Sequence, residues 1–155
     1  MKLKDIKDAC KKCRARCCKM GGPDFTEKEM KKVLKLNPKL KDRFVRLNKN
    51  HYELKVKRGI CPFLRKDYSC SIHKARPLMC KCWPVYLEFI KGRKSFLIIQ
   101  CPLTPYLTKE QIQTMKKQAS KLPKEFVEGK ETKFSKSEVK LVMKRFNKFK
   151  KKKLK

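Results

Sequence analysis

The sequence predicts an α+β fold: a small, helix-rich single domain with a short antiparallel β-hairpin or three-stranded sheet, organised around its cysteines. Three observations predict it. Several segments carry apolar residues at helical spacing behind capping signals, a central region alternates apolar and polar residues, and nine cysteines gather mainly in two clusters. The chain has 155 residues, which is the length of one ordinary domain with a modest core.

The first predicted helix runs from residue 3 to about residue 19, before a Gly-Gly-Pro sequence that cannot continue a helix. At about 100° per residue, Cys10, Cys13 and Cys17 fall on one stripe of this helix, with Cys18 about a quarter turn away. Three thiols are therefore expected to project from one face. The structural alternative is that these small side chains fill a core stripe.

Three further helices are predicted from capping boxes, in which a Ser or Thr precedes a Glu or Gln by three residues. The pairs are Thr26 with Glu29, Thr108 with Gln111, and Ser135 with Glu138. The first two helices are expected to end near residues 37 and 122, each before a proline. Residues 40–47 are expected to continue as a short helical stripe.

Strands are predicted in the middle of the chain. Residues 51–58 alternate, with Tyr52, Leu54 and Val56 on the inward face and Glu53 on the outward face. Residues 85–90 and 95–100 are rich in strand-forming residues and are separated by Lys-Gly-Arg-Lys, which predicts a hairpin with a four-residue turn. These segments are expected to form one small antiparallel sheet, although residues 85–90 could also be helical.

Two regions are predicted: a cysteine-cluster domain at residues 1–122, and at residues 123–155 a linker and a basic amphipathic helix packed on the domain or extending from it. The net charge is +31, from 45 Lys and Arg against 14 Asp and Glu. This excess is beyond what solubility requires and favours an acidic partner, either nucleic acid or an acidic protein. A merely solvated surface is the alternative.

Localisation follows from what the sequence lacks. No apolar run approaches the length that spans a bilayer, and the N-terminus lacks the apolar core of a secretory signal. A cytoplasmic location is therefore expected. In a reducing compartment nine cysteines indicate metal binding rather than disulfides, and an odd number cannot all pair within one chain.

The densest cysteine cluster lies in residues 60–84, where Cys61, Cys70, Cys80 and Cys82 are interleaved with prolines and His73. No single helix or strand could present these four thiols together, but a loop folding around an ion could, since only a soft cation makes the convergence of thiolates favourable. The N-terminal cluster adds four more thiols, and one follows later. The N-terminal four are Cys10, Cys13, Cys17 and Cys18, and Cys101 completes the set in front of Pro102.

The spacing leaves zinc and iron–sulfur both open. Structural zinc sites typically use two short Cys-x-x-Cys knuckles, and only one is present, at Cys10 and Cys13. Iron–sulfur clusters tolerate wider spacings, and Cys-x-x-Cys-x-x-x-Cys resembles part of a ferredoxin-type run. The preference is therefore for iron–sulfur, with a structural or redox role.

The ordered blocks resemble the YkgJ-type cysteine-cluster family, whose members are described as zinc- or iron-chelating, or iron–sulfur-containing. The blocks are Cys10-x-x-Cys13-x-x-x-Cys17-Cys18, Cys61-Pro62-Phe63-Leu64, Cys70-Ser71-Ile72-His73, Arg76-Pro77-Leu78-Met79-Cys80 and Trp83-Pro84. The resemblance spans residues 10–101. It implies eight metal ligands, namely Cys10, Cys13, Cys17, Cys18, Cys61, Cys70, Cys80 and Cys101, and Cys82 and His73 are additional candidates. Two departures are Lys81, where the family usually has Arg, and the additional thiol of Cys82.

The alternatives to a metal-cluster protein are a nucleic-acid-binding module with a structural metal site and a metal-dependent methyltransferase-like enzyme. The second is suggested because the family includes longer flagellin lysine methylases. No catalytic residue is identified, so enzymatic activity is left open, although a cysteine nucleophile with His51 or His73 as its base is conceivable. Arg76 is expected to ease thiolate charge, and Trp83 to shield the site from water.

Overall fold

The computed structural model describes residues 3–128 and 132–154, and its α+β fold confirms the predicted class. The α-helices are α1 (Leu3–Lys12), α2 (Glu27–Leu36), α3 (Leu78–Cys82), α4 (Lys109–Ala119), α5 (Lys124–Glu128) and α6 (Lys136–Phe146). The strands are β1 (Phe44–Asn48), β2 (His51–Leu54), β3 (Val85–Ile90), β4 (Arg93–Gln100) and β5 (Lys150–Leu154). Short 3₁₀ helices occupy Arg16–Lys19, Pro38–Arg43, His73–Ala75 and Thr104–Tyr106. In the described part of the chain, no helix has both the length and the apolar character needed to cross a membrane.

The prediction of one helix over residues 3–19 is wrong, because α1 ends at Lys12. Arg14 and Ala15 have φ angles of 51° and 48°, in the left-handed region that ends a helix. The amide of Ala15 donates to the carbonyl of Cys10 at 2.9 Å, which closes the turn. Ala15 is also almost fully buried, so packing holds the chain in this reversal.

The three capping boxes are confirmed. In each of α2, α4 and α6 the N-cap hydroxyl accepts from the third backbone N–H, while the third side chain accepts from the N-cap backbone. Glu29 has a second role, because its other carboxylate oxygen accepts from the amide of Leu78 at 2.7 Å. The cap of α2 is thereby tied to the start of α3.

The first sheet is a two-stranded hairpin of β1 and β2, with Phe44 opposite Leu54. The expected helical stripe over residues 40–47 is therefore wrong, since the 3₁₀ helix of Pro38–Arg43 leads directly into β1. The expectation that residues 51–58 join the central hairpin is also wrong. Tyr52 instead exchanges two backbone hydrogen bonds of 2.9 Å with Phe25, which brings the start of α2 onto β2.

The second sheet has the strand order β3-β4-β5, all antiparallel. The predicted hairpin is confirmed, but its turn contains only Lys91 and Gly92, whose φ angles of 48° and 76° match a tight two-residue hairpin turn. The third strand, β5, consists of lysine-rich residues at the end of the region for which the sequence predicted a linker and a basic helix. It pairs with β4 from Phe96 opposite Leu154 to Gln100 opposite Lys150.

Two apolar clusters hold these elements together. The first surrounds Phe25, Val33 and Leu54 and joins α2 to β2 and to the cysteine loop. The second surrounds Leu87 and Ala119 and packs α4 against the β3-β4-β5 sheet. Cys61 belongs to the first cluster, with Cys18 and Cys70 packed against it, and Cys82 belongs to the second.

Candidate metal centre

Backbone hydrogen bonds bring the N-terminal cysteines onto the cysteine loop. The amide of Cys61 donates to the carbonyl of Cys18 at 2.8 Å, and the amide of Gly21 donates to the carbonyl of Gly59 at 2.8 Å. Gly21 has a φ of +90°, a backbone conformation that glycine adopts without strain. Two clusters that are more than forty residues apart in sequence are therefore adjacent in space.

The thiol of Cys10 lies in a neighbourhood of other thiols. Burial is the main reason that its pKa is raised to about 11, and the nearby Cys13, Cys18 and Cys101 raise it further. Cys101 is held by Thr104, whose hydroxyl lies 3.7 Å from the Cys101 sulfur and donates to the carbonyl of Ile99. The N-terminal cluster and the end of β4 therefore share one electrostatic environment.

The thiol of Cys80 connects the other members. Burial raises its pKa well above the usual range, and the neighbouring thiols of Cys61, Cys18 and Cys70 add to this effect in that order. The pKa of Cys61 is likewise raised to about 12, mainly by burial, with Cys18 and Cys70 among its neighbours. These buried thiols are neutral in the absence of a cation, so binding of a metal would release protons.

Cys17 and Cys18 form a close pair, with 4.0 Å between their sulfur atoms. The hydrogen bond from Cys17 lowers the pKa of Cys18 against the opposing effect of burial, and the positive charges of Arg76 and Lys19 lower it further. The pKa of Cys17 is raised, first by the same hydrogen bond and then by burial. Of this pair, Cys18 is the thiol that ionises more readily.

All eight predicted ligands lie within electrostatic reach of at least one other member of the set. They are Cys10, Cys13, Cys17, Cys18, Cys61, Cys70, Cys80 and Cys101. All nine cysteines of the chain are free thiols in the structure. We name this set of eight the thiol cluster.

The ninth cysteine lies elsewhere. Cys82 is 1% exposed and packs with Val85, Leu87 and Ala119 in the apolar cluster under the β3-β4-β5 sheet. Its pKa is raised to about 12, mainly by burial, and the next cause is the carboxylate of Glu29 rather than another thiol. Cys82 therefore occupies a core position, as a small apolar residue would.

Arg76 supplies positive charge to the thiol cluster. Its guanidinium lowers the pKa of Cys18 and opposes the rise at Cys10 and Cys80. The Nη1 atom lies 3.1 Å from Nε2 of His73, whose own pKa is lowered by burial and by Arg76. His73, an additional candidate ligand, therefore contacts Arg76 through its Nε2 atom.

The donor chemistry suits a thiophilic cation, because thiolates are the ligands that zinc and iron–sulfur clusters use and four of the eight thiols have Arg76 as an electrostatic neighbour. Tetrahedral coordination with metal–sulfur bonds of about 2.3 Å places sulfurs about 3.8 Å apart, and the Cys17–Cys18 pair is close to this separation. Within residues 3–128 and 132–154, however, no group of three or more His, Cys, Asp or Glu side chains is arranged as a preformed ion site.

A second buried polar cluster was not predicted. His51 and Glu53 are both buried, although strand alternation placed Glu53 outward. The Nε2 atom of His51 lies 3.3 Å from Oδ1 of Asp24 without forming a hydrogen bond, and its ring packs on Phe126. Glu53 accepts from the hydroxyl of Thr132 and, at 2.8 Å, from the amide of residue 133. The partners of Glu53 are more than seventy residues away in the sequence, so the local sequence could not predict its burial.

Comparison with known proteins gives one match. The CxxCxxCC family, described as a putative zinc- or iron-chelating domain, matches residues 9–122. The matched segment contains all nine cysteines and ends before α5, α6 and β5. No curated protein and no solved structure matches the chain.

Proposed function

Because the chain belongs to the CxxCxxCC family of putative zinc- or iron-chelating domains, we propose that the thiol cluster binds metal through cysteine thiolates. One observation carries the proposal: each of eight thiols from distant parts of the chain has another of the eight as an electrostatic neighbour, and four of them also have Arg76 as a neighbour, while the ninth thiol packs in the core. A bound cation would hold these thiols as thiolates and make their convergence favourable.

We propose an iron–sulfur cluster as the bound group, with zinc as the alternative. The spacing Cys10-x-x-Cys13-x-x-x-Cys17 favours iron–sulfur, because zinc sites usually draw on two Cys-x-x-Cys pairs and the chain contains one. When bound, an iron–sulfur cluster would supply electron transfer or structural cross-linking. The residues of this chain would hold it by thiolate bonds, offset its negative charge through Arg76, and exclude water with Trp83.

The experiment compares Cys18→Ala with Cys82→Ala. Cys18 neighbours five other members of the thiol cluster, whereas Cys82 is a buried residue of the same type outside it. Purification without oxygen, metal analysis and an absorption spectrum are expected to show bound iron in the wild-type chain, a loss of at least half of it in Cys18→Ala, and wild-type content in Cys82→Ala.

The outcomes separate the claims. Stoichiometric zinc in a colourless protein would replace iron–sulfur by zinc and leave thiolate ligation intact. Equal metal content in Cys18→Ala and the wild-type chain would contradict ligation by the thiol cluster. Loss of metal only in Cys82→Ala would show that Cys82, which we place in the core, is a metal ligand.

We also propose, as a second candidate function, that the basic surface binds nucleic acid, the commonest polyanion in cells. The observation that favours it is β5, which places four exposed lysines, Lys150–Lys153, along the outer edge of the β3-β4-β5 sheet. With 14 acidic residues for 45 basic ones, most lysines and arginines have no carboxylate of their own to pair with. The structural alternative is that these lysines only prevent a strand of another molecule from pairing with the edge of the sheet.

A charge-reversal pair tests this surface. Lys150→Glu with Lys152→Glu changes β5, while Lys39→Glu with Lys41→Glu makes the same change in net charge at an exposed 3₁₀ helix. Affinity for labelled RNA and DNA is expected to fall steeply with salt and to fall more in the β5 variant. Equal losses in both variants, or affinity independent of salt, would contradict a nucleic-acid surface at β5; tighter binding to polyglutamate would favour an acidic protein.

A further inference from the structure

A cavity of about 420 Å³ lies between the thiol cluster and the C-terminal helices. Its volume is in the range of pockets that bind small molecules, which is about 300–1,000 Å³. Five thiols are among the side chains that line it, namely Cys17, Cys18, Cys61, Cys70 and Cys80. A metal held by these sulfurs would leave the rest of the lining free.

The lining also includes apolar side chains that metal binding does not require. Leu87 of β3, Phe126 of α5, Phe146 of α6 and Trp83 contribute to it. These side chains come from separate elements and converge on the same space, which is the arrangement of a ligand pocket rather than of a surface dimple. They carry no group that would bind zinc or iron.

Helix α6 covers this cavity instead of filling it. No residue of α6 is buried, and Met143 on the cavity side is 48% exposed. A helix that completes a core normally buries its apolar stripe. Arg145 ties the helix to the loops before the cavity, because its Nη1 atom donates to the carbonyls of Lys19 and Arg58 at 2.6 and 2.9 Å. The cover also lies outside residues 9–122, so it is an addition to the family domain.

The charged groups in the wall limit the ligand. Among the described lining residues these groups are Asp24 and Arg76. Asp24 lies 3.3 Å from His51, and Arg76 contacts His73 and faces the thiols. Because the other lining residues are uncharged, a charged ligand would lose its hydration against a mostly apolar wall, whereas a neutral apolar ligand would lose little.

We propose that this chain binds a compact, neutral, apolar organic molecule in the cavity, with one side of the ligand against the thiol cluster and the other under α6. This binding goes beyond metal chelation and does not require a particular metal. It gives the C-terminal segment a role in recognition, since α5 and α6 supply the part of the wall that the family domain lacks.

The single tryptophan of the chain, Trp83, lines the cavity, so its fluorescence reports occupancy. The probes are cyclohexanol, cyclohexanecarboxylate and cyclohexylammonium, which share a ring and differ in charge. Cyclohexanol is expected to change the Trp83 emission saturably, and both charged analogues to bind at least tenfold more weakly. No saturable change with cyclohexanol, or equal binding of a charged analogue, would overturn the proposal.

A charge introduced into the wall tests the location. In Met143→Glu a carboxylate faces the cavity, while in Val139→Glu the same group stands on α6 at an exposed residue outside the lining. Met143→Glu is expected to raise cyclohexylammonium affinity relative to cyclohexanol by about fivefold, and Val139→Glu to leave the ratio unchanged. Equal ratios in the two variants would overturn the location.

Folding and metal binding are controlled separately. Met143 and Val139 are both exposed, and far-UV circular dichroism checks that each variant folds. If one variant fails to fold, the comparison of the three probes on the wild-type chain still tests the proposal. Metal content measured on the same samples distinguishes the two proposals. Cyclohexanol binding without metal would leave the cavity proposal intact, and metal without cyclohexanol binding would defeat the cavity proposal alone.

Discussion

At the scale of single residues, burial and charge distinguish chemically identical side chains. Cys18 and Cys82 are both enclosed thiols with Arg76 as a neighbour, yet the first also has other thiols around it, and the second has apolar side chains and Glu29. The resemblance to a cysteine-cluster family singled out Cys82 as additional, and the structure gives it a core environment. Sequence spacing alone could not make this distinction, because Cys80 and Cys82 differ by only two positions.

Asp24 gives a prediction of pH dependence. Burial raises its pKa from 3.8 to about 6, against the opposing charge of His51, while Glu53 adds to the rise. Between these two pH values the folded chain retains a proton that the unfolded chain has released, so stability falls as pH rises through this window. Asp24→Asn removes the effect. Its stability relative to the wild-type chain is expected to improve by at most about 3 kcal/mol from pH 4 to pH 6.5.

Denaturant unfolding of both chains across this pH range measures the difference. Asp67→Asn is the control, since Asp67 is an exposed carboxyl whose pKa is lowered by its hydrogen bonds to Ser69. That variant is expected to lack the relative gain above pH 4. Parallel stability curves for Asp24→Asn and the wild-type chain would show that Asp24 is not protonated in the folded state.

At the scale of elements, local signals predicted what local interactions determine. The capping boxes at Thr26, Thr108 and Ser135 correctly located three helix starts, because a cap is made within four residues. The hairpin of β3 and β4 was predicted for the same reason. The early end of α1 was not predicted. Its cause is the left-handed backbone conformation of Arg14 and Ala15, and neither residue is a glycine, the residue type that usually signals this conformation.

Elements that depend on distant partners were beyond local reasoning. Strand β5 is a run of lysines with poor strand propensity, and it forms because β4 offers an unpaired edge and Leu154 packs with the apolar face below. The inward position of Glu53 likewise depends on hydrogen bonds from Thr132 and residue 133. The alternating pattern of β2 contains no information about these distant partners. In both cases tertiary contacts outweighed the pattern.

At the scale of the whole molecule, the chain joins a cysteine-rich family domain to a C-terminal segment that returns over it. The segment contributes Phe126 and Phe146 to the cavity wall and anchors α6 to the N-terminal loop through Arg145. The sequence indicated the family domain and its eight candidate ligands, since motif spacing is a local property. It did not indicate the cavity, which exists only where elements distant in sequence converge.

The central claim is that cysteine thiolates of the thiol cluster are the metal ligands. X-ray absorption spectroscopy of the protein purified without oxygen, at the edge of whichever metal it contains, tests this most directly. The account predicts a first shell of sulfur alone at about 2.3 Å. A shell dominated by nitrogen or oxygen at about 2.0–2.1 Å would contradict it.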